Sequence, residues 1–176
     1  MQNKTGRIAV WDPFIRAFHW SLAFAYLGAW LTAEEWPWLH DQLGYFMVAL
    51  LGLRLAWGWI GTEHARFTNF LSGPTATIEY FRSLKSGKAE HYLGHNPAGG
   101  WMVVALIITL VATVATGILL GEQEGLVEEL HEGLANLSLL LVAVHLVGVF
   151  SASLLHKENL IQAMLTGYKL RNDNDV

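Results

Sequence analysis

Four long apolar stretches, almost free of charge, dominate the pattern of hydrophobic and polar positions along the chain. They cover residues 14–33, 42–60, 101–120 and 134–155, and each is close to the roughly 20 residues that an α-helix needs to cross a bilayer. A helix of a soluble bundle keeps a polar stripe, whereas residues 102–120 carry no charge on any face. The pattern therefore predicts an all-α fold, an integral membrane four-helix bundle that forms a single domain over residues 1–176.

The polar segment between the second and third stretches, residues 61–98, predicts an amphipathic helix at the membrane surface. Pro74 and Gly87 are start and stop signals for a helix over residues 75–86. Apolar residues share one face of this helix, and basic residues lie toward the headgroups: Ile78, Phe81 and Leu84 on the first, and Arg82, Lys85 and Lys88 on the second. We expect this loop helix to lie on the cytoplasmic leaflet.

Basic residues are confined to the segments that share one side of the predicted bundle. All 11 Lys and Arg residues lie at the two ends of the chain, in the middle loop, or in the helix turns beside them, so the positive-inside rule predicts that both termini and the middle loop are cytoplasmic. The two opposite loops and the helix starts beside them hold only acidic charges: Glu34, Glu35, Asp41, Glu122, Glu124, Glu128, Glu129 and Glu132. The outer face is therefore expected to be acidic.

Composition narrows the chemistry that this bundle can perform. The chain is 53% hydrophobic and 15% charged with a net charge of −4, which excludes a disordered segment or a nucleic-acid-binding module. It has no Cys, so disulfides, iron–sulfur clusters and covalent c-type haem attachment are excluded. Metal chemistry must rest on the eight His residues and the carboxylates.

Four histidines lie within or at the entrance of the apolar stretches, where ionisable side chains are costly and indicate function. His131 and His145 are 14 residues apart, which on a helix is about 21 Å of rise and nearly the same face. The directions of the helices place His19 level with His145 in the inner half of the membrane, and His40 level with His131 in the outer half. We call these the inner pair and the outer pair.

Two facing imidazoles at each depth favour haem b over zinc. Zinc takes four protein ligands in a structural site, and no Cys or buried carboxylate completes such a set, whereas haem b takes two axial imidazoles in an apolar slot. The sequence therefore predicts two haem b groups, with His19, His145, His40 and His131 as the axial ligands of the haem iron. The structural alternative is that these four histidines are buried in the core and bind no cofactor.

The other four histidines are weaker candidates for haem ligands. His156 lies 11 residues after His145, on nearly the same face, and is the alternative inner ligand, although its neighbour Lys157 places it at the membrane surface. His64, His91 and His95 fall in the middle loop and are expected to be solvated or to pack that loop.

Two arginines are candidates for contacts with haem propionates. Arg54 lies 14 residues after His40 on the same helix face, and Arg16 lies one turn before His19. A guanidinium at this depth needs an anionic partner, which a propionate supplies. For Arg16, extension of the side chain to the membrane surface is an equally good explanation.

An ordered set of short motifs resembles one known family. The matching stretches are Phe18-His19-Trp20, Leu39-His40-Asp41-Gln42-Leu43-Gly44, Gly94-His95-Asn96-Pro97-Ala98-Gly99-Gly100, Leu130-His131-Glu132-Gly133-Leu134-Ala135-Asn136 and Ala143-Val144-His145-Leu146. Over most of its length the chain resembles the bacterial cytochrome b561 family, four-helix di-haem relatives of the b-type cytochrome subunits of nickel–iron hydrogenases. The resemblance implies haem ligation by the same four histidines and a multi-pass protein of the bacterial inner membrane.

The resemblance also implies electron transfer between the quinone pool and a partner redox protein. Because the outer face is acidic, we expect a basic partner there, with a periplasmic cytochrome c as the first candidate. One alternative within the family is a superoxide oxidase that reduces ubiquinone, but the acidic face would repel the superoxide anion. Another is a membrane-anchor subunit of a hydrogenase or other redox enzyme. Whether the protein is an enzyme in its own right stays open.

Overall fold

The computed structural model describes residues 6–86, 90–120 and 125–170. Four long helices and three shorter ones form the described fold, together with a 3-10 turn at Glu63–Ala65 and two short strands. In chain order the elements are β1 (Arg7–Ala9), α1 (Pro13–Thr32), α2 (Pro37–Ile60), α3 (Phe67–Phe70), α4 (Pro74–Lys85), α5 (Pro97–Leu120), α6 (Leu126–His156), α7 (Leu160–Thr166) and β2 (Tyr168–Leu170).

The four apolar stretches are all helical, but three of the helices begin earlier than the apolar pattern indicates. The helices α2, α5 and α6 start at residues 37, 97 and 126, where the apolar stretches start at 42, 101 and 134. Pro37 and Pro97 occupy the first turn, where proline fixes a helical φ and loses no helical hydrogen bond. Hydrophobicity marks the membrane-embedded part of a helix, not its ends, so His40 and His131 lie inside helices and not at their entrances.

The outside of the bundle has the character of a lipid-facing surface. Large apolar side chains such as Phe24, Ile60 and Leu154 are 70%, 78% and 81% exposed, and bulk apolar exposure of this kind is rare on soluble monomers. The helices α2, α5 and α6 are long and apolar enough to cross a membrane, with mean hydropathy of 1.5, 2.7 and 2.2. The remaining long helix, α1, covers the predicted span 14–33 but is not among the helices that are long and apolar enough to cross a membrane. It carries the polar residues Arg16, His19 and Ser21.

The four long helices pack in a row that folds back on itself. The helix α1 packs on α2, α2 on α5, and α5 on α6. The helix α6 also faces α1, because His145 lies beside His19 and Ser138 is hydrogen-bonded to Tyr26. The core of this arrangement is an apolar cluster of Ala25, Ala29, Met47, Leu51 and Leu110. Gly28 of α1 packs against the side chain of Leu43 on α2, and a Cβ there would lie 2.9 Å from Leu43 Cδ1.

The two strands and the short helices gather at one end of the bundle. The strands β1 and β2 pair antiparallel, with Ile8 opposite Lys169. These two strands lie beside the segment that connects α2 to α5, where Lys169 Nζ donates to Tyr92 O. We call this the basic end, and the opposite one the acidic end. Asp12 joins α1 to α2 here, because its carboxylate accepts hydrogen bonds from the backbone N–H of Ile15, the Trp57 indole and the Thr62 hydroxyl.

The loop helix predicted over residues 75–86 is present as α4, displaced by one residue at each end. Its Tyr80 is buried, and α4 packs on α5. Ile78 and Phe81 are each 52% exposed on a helix that ends in Arg82 and Lys85. The expected stop signal Gly87 and the basic residue Lys88 lie outside the described residues. Contact of α4 with the cytoplasmic leaflet stays a prediction.

Candidate cofactor sites

The inner pair is formed by one histidine from α1 and one from α6. The ring centroids of His19 and His145 are 6.5 Å apart, with an angle of 54° between the ring planes. The indole of Trp20 packs edge-on against His19, at 5.2 Å between centroids. The Nδ1 atom of His19 is buried and has no hydrogen-bond partner among the described residues.

The outer pair is formed by one histidine from α2 and one from α6. The ring centroids of His40 and His131 are 6.1 Å apart, with an angle of 81° between the ring planes. Each Nδ1 lies beside a backbone carbonyl: His40 at 2.9 Å from Ala29 O, and His131 at 3.0 Å from Thr113 O. Thr116 Oγ1 lies 3.2 Å from the same His131 nitrogen.

These carbonyl contacts assign the tautomer of both outer rings. A carbonyl oxygen only accepts hydrogen bonds, so Nδ1 of His40 and of His131 carries the proton and donates it. In a neutral ring Nε2 then presents its lone pair, as it does in metal-ligating histidines whose other nitrogen is held by a carbonyl. The carbonyls of Ala29 and Thr113 thus fix the orientation of the outer rings and leave the lone pair on Nε2.

The separation of the rings within each pair fits ligation of one metal ion between them. Bonds from imidazole nitrogen to a metal are about 2 Å long, so two rings on opposite sides of one metal have centroids roughly 6 Å apart. Both pairs match this value, at 6.5 Å and 6.1 Å. Within the described residues no group of three or more His, Cys, Asp or Glu side chains is placed to hold a metal. Each pair thus suits a metal whose remaining ligands come from a macrocycle, which is the requirement of haem b.

Arg54 and Arg16 lie at the basic end, and both are tied to backbone carbonyls. Arg54 is 3% exposed, and it donates from Nη2 to Ala65 O at 3.1 Å while its guanidinium lies 4.7 Å from the centre of the Phe67 ring. Arg16 donates from Nη2 to Leu165 O. Among the described residues, Nη1 of Arg54 and Nε of Arg16 are buried without a hydrogen-bond partner. These free N–H groups suit an anionic acceptor, and the assignment of that acceptor as a propionate stays a prediction.

The remaining histidines pack at the basic end. His95 lies between Trp11 and Phe70, at 4.8 Å and 4.5 Å between ring centroids. Burial, together with the charges of Arg54 and Lys169, lowers the pKa of His95 to about 3, so the ring is neutral. His95 was expected either to be solvated or to pack the middle loop, and the structure agrees with packing.

His91 and His156 belong to a buried polar cluster that the sequence does not reveal. Their rings are in edge-on contact at 5.1 Å between centroids, and His91 Nε2 lies 3.0 Å from Glu158 Oε2. Lys169 Nζ lies 3.3 Å from the same carboxylate oxygen and donates to Tyr92 O at 3.0 Å. Of the two alternatives expected for His91, solvation or packing, the structure shows packing. The ring of His156 contacts His91, whereas the ring of His145 faces His19.

Apolar helices that place an imidazole pair at each of two depths are typical of one class of protein. These are helical membrane proteins that hold metal-containing cofactors inside the bundle. A family model described as prokaryotic cytochrome b561 matches residues 10–167. The chain belongs to this family, and it is therefore a membrane b-type cytochrome that binds haem and takes part in electron transfer. No curated protein and no solved structure matches it.

Proposed function

We propose that this protein is a di-haem cytochrome that transfers electrons between the quinone pool and a partner redox protein, with a periplasmic cytochrome c as the partner. One observation carries the proposal: α6 supplies one ring to each of two imidazole pairs, at positions 14 residues apart. Such a separation corresponds to about 21 Å along a helix, which is most of the roughly 30 Å hydrocarbon core. Two redox centres stacked at these depths span the bilayer.

In this proposal the side chains of α1, α2 and α6 would hold the two haem groups. His19 and His145 would hold the inner haem, and His40 and His131 the outer one. When bound, a haem would supply one-electron redox chemistry at each site. The carbonyls of Ala29 and Thr113 keep the outer rings in one tautomer and orientation, and Arg54 with Arg16 offers N–H donors to propionates at the basic end.

A lipid-dissolved electron carrier suits the surroundings of these pairs. The helices expose large apolar side chains along their lengths, so a hydrophobic quinol can approach from the membrane. Its oxidation to quinone would pass two electrons, one at a time, to the groups held by the two pairs, while the two protons pass to water.

The acidic end supports a basic partner. Six carboxylates there are all exposed: Glu34, Glu35, Asp41, Glu128, Glu129 and Glu132. Glu122 and Glu124, predicted for the same face, lie outside the described residues. With the basic end in the cytoplasm of a bacterial cell, this rim faces the periplasm and complements a basic cytochrome c. It also disfavours a superoxide oxidase, because it repels an anionic substrate.

Quantification of haem together with a redox titration tests this function. The purified protein is expected to hold two b haems per chain, each low-spin with two imidazole ligands, and both are expected to be reduced by a quinol. Addition of a basic cytochrome c should reoxidise them. A stoichiometry of one haem, or haem that remains attached after acid–acetone extraction, would contradict the proposal, and a hydrogenase that copurifies with the chain would favour the anchor-subunit alternative.

A further inference from the structure

Ser138 occupies the midpoint between the two histidines of α6. It lies seven residues after His131 and seven before His145, about 10 Å from each along the helix and close to the same face. Its exposed fraction is 0%, and it is the one buried residue of α6, a helix that the structure describes in full. A polar side chain is thus enclosed halfway between the inner and outer pairs.

The Ser138 hydroxyl joins α6 to α1 through Tyr26. Tyr26 Oη and Ser138 Oγ are 2.9 Å apart. Ser138 donates its single proton to Ala135 O at 2.7 Å, so in the contact with Tyr26 the phenol donates and the serine accepts. Tyr26 lies seven residues after His19, and this hydrogen bond therefore connects the histidine-bearing faces of the two helices.

The two pairs depend on α1 in different ways. The helix α1 packs mainly on α2, and α6 packs mainly on α5. His40 and His131 of the outer pair belong to α2 and α6, which are linked through the packed helix α5. His19 and His145 of the inner pair belong to α1 and α6, the two helices that face each other at the ends of the row. The helix α1 supplies a ring to the inner pair, whereas to the outer pair it supplies only the Ala29 carbonyl that holds His40. The distance between the inner rings therefore follows the spacing of α1 and α6 more directly than the distance between the outer rings does.

We propose that Tyr26 is a positioning residue for the inner site: its hydrogen bond to Ser138 fixes the spacing of α1 and α6 and so holds His19 and His145 at ligation distance. The inference rests on the proposed function, since it takes each imidazole pair as the ligand set of one haem. Tyr26 itself does not touch the metal. We expect the loss of this hydrogen bond to weaken the inner site and not the outer one. A residue that only stabilises the whole fold would affect both sites.

The variant Tyr26→Phe tests this role with the least disturbance. It keeps the ring in the core and removes only the donor, while Ser138 still donates to Ala135 O and leaves no buried proton unpaired. The holoprotein is mixed with excess apomyoglobin, and release of each haem is followed by its own spectrum, assigned beforehand from His145→Ala and His131→Ala. We expect the inner haem to be released about five-fold faster, the loss expected for one net hydrogen bond, and the outer haem at an unchanged rate.

Two further variants complete the test. Ser138→Ala removes the acceptor and is expected to reproduce the selective loss from the inner site. Tyr45→Phe removes a phenol hydroxyl from an exposed position on α2 and is expected to change neither rate. An electron paramagnetic resonance spectrum of each holoprotein adds a second readout, in which Tyr26→Phe should broaden only the low-spin signal of the inner haem.

The outcomes separate this inference from the function on which it rests. If the unaltered protein binds two haems and Tyr26→Phe releases both at equally increased rates, or neither faster than before, the positioning role is wrong and the di-haem function stands. Faster loss from the outer site alone would also overturn it. If the unaltered protein binds a single haem, the proposed function and this inference both fail.

Discussion

Gly117 on α5 lies directly against the imidazole of His131 on α6. A Cβ at this glycine would lie 3.0 Å from His131 Cε1 and 3.4 Å from its Nδ1, so the ring would have to shift by a few tenths of an ångström to accept it. The same nitrogen donates to the carbonyl of Thr113, one turn before Gly117. The missing side chain and the carbonyl thus set the position of one ring together.

The variant Gly117→Ala is therefore expected to weaken the outer haem site selectively. The added methyl displaces the His131 ring, and overpacking of this kind costs about 1–3 kcal/mol. Haem quantification after purification should show a lowered content of the outer haem with the inner haem retained. The matched control is Gly133→Ala on α6, where an added Cβ meets no atom within 4 Å. Equal haem content in the two variants would refute the role of Gly117.

Single histidine substitutions test which ring belongs to which site. His131→Ala should remove the outer haem and leave the inner one, whereas His145→Ala should do the reverse, because each histidine faces a partner from a different helix. Reduced-minus-oxidised spectra and haem content measure both outcomes. His156→Ala is the control, since its ring contacts His91. Loss of the inner spectrum in that variant, with His145→Ala unaffected, would reverse the assignment.

Arg54→Leu tests the electrostatics of the inner site. A buried cation close to an iron favours the reduced state, which has one positive charge less, so its removal should lower the midpoint potential of the inner haem by on the order of tens of millivolts. A redox titration resolves the two midpoints. Arg82→Leu, on the exposed loop helix α4, should leave both unchanged. An unaltered inner midpoint in Arg54→Leu would argue against a propionate contact.

Neutralisation of carboxylates at the acidic end distinguishes the proposed electron transfer to a cytochrome c from the superoxide oxidase alternative. Replacing Glu128, Glu129 and Glu132 with Gln should slow reduction of a basic cytochrome c about ten-fold at low ionic strength and much less at physiological salt, where fields are screened over about 8 Å. Superoxide should instead react faster, because a repulsive field is removed. Neutralising Glu63 and Glu79 at the basic end provides the control, and stopped-flow kinetics give the rates. Rapid superoxide consumption without electron delivery to cytochrome c would contradict the proposed function.

We expect the stability of the basic end to fall at acidic pH because of Asp12. Burial acts to raise the pKa of Asp12, but hydrogen bonds from Thr62, Ile15 and Trp57 together outweigh it, and the net pKa lies below 3.8. The stabilising effect is therefore complete above pH 3.8 and is lost as the pH falls through the lowered value. Asp12→Ala should cost about 1 kcal/mol at neutral pH through loss of the helix cap. Thermal unfolding at pH 7 and pH 3 measures this, and an equal cost at both values would contradict it.

The helices and the relative depth of the histidines could be predicted from sequence because both follow from position along a helix. The spacing from His131 to His145 fixes depth and face whatever the neighbours are. The helix ends could not be predicted from hydrophobicity, since Pro37 and Pro97 start helices outside the apolar stretches.

Contacts between distant segments account for what the sequence did not reveal. Lys169 and Tyr92 are 77 residues apart, and His91 meets Glu158 only because the end of α6 packs beside the segment before α5. The hydrogen bond from Tyr26 to Ser138 spans 112 residues. Neither residue of that bond stands out in a pattern, because a tyrosine and a serine in an apolar helix each have many roles.

The pairing of β1 with β2 gives the molecule a natural point of attachment. Because Ile8 lies opposite Lys169, a tether attached at either strand holds the protein at the basic end, which is opposite to Glu128 and Glu129. Molecules linked to an electrode through either strand would all present the acidic end to the solution. Electron delivery to a soluble acceptor then becomes measurable as a current from a uniformly oriented layer.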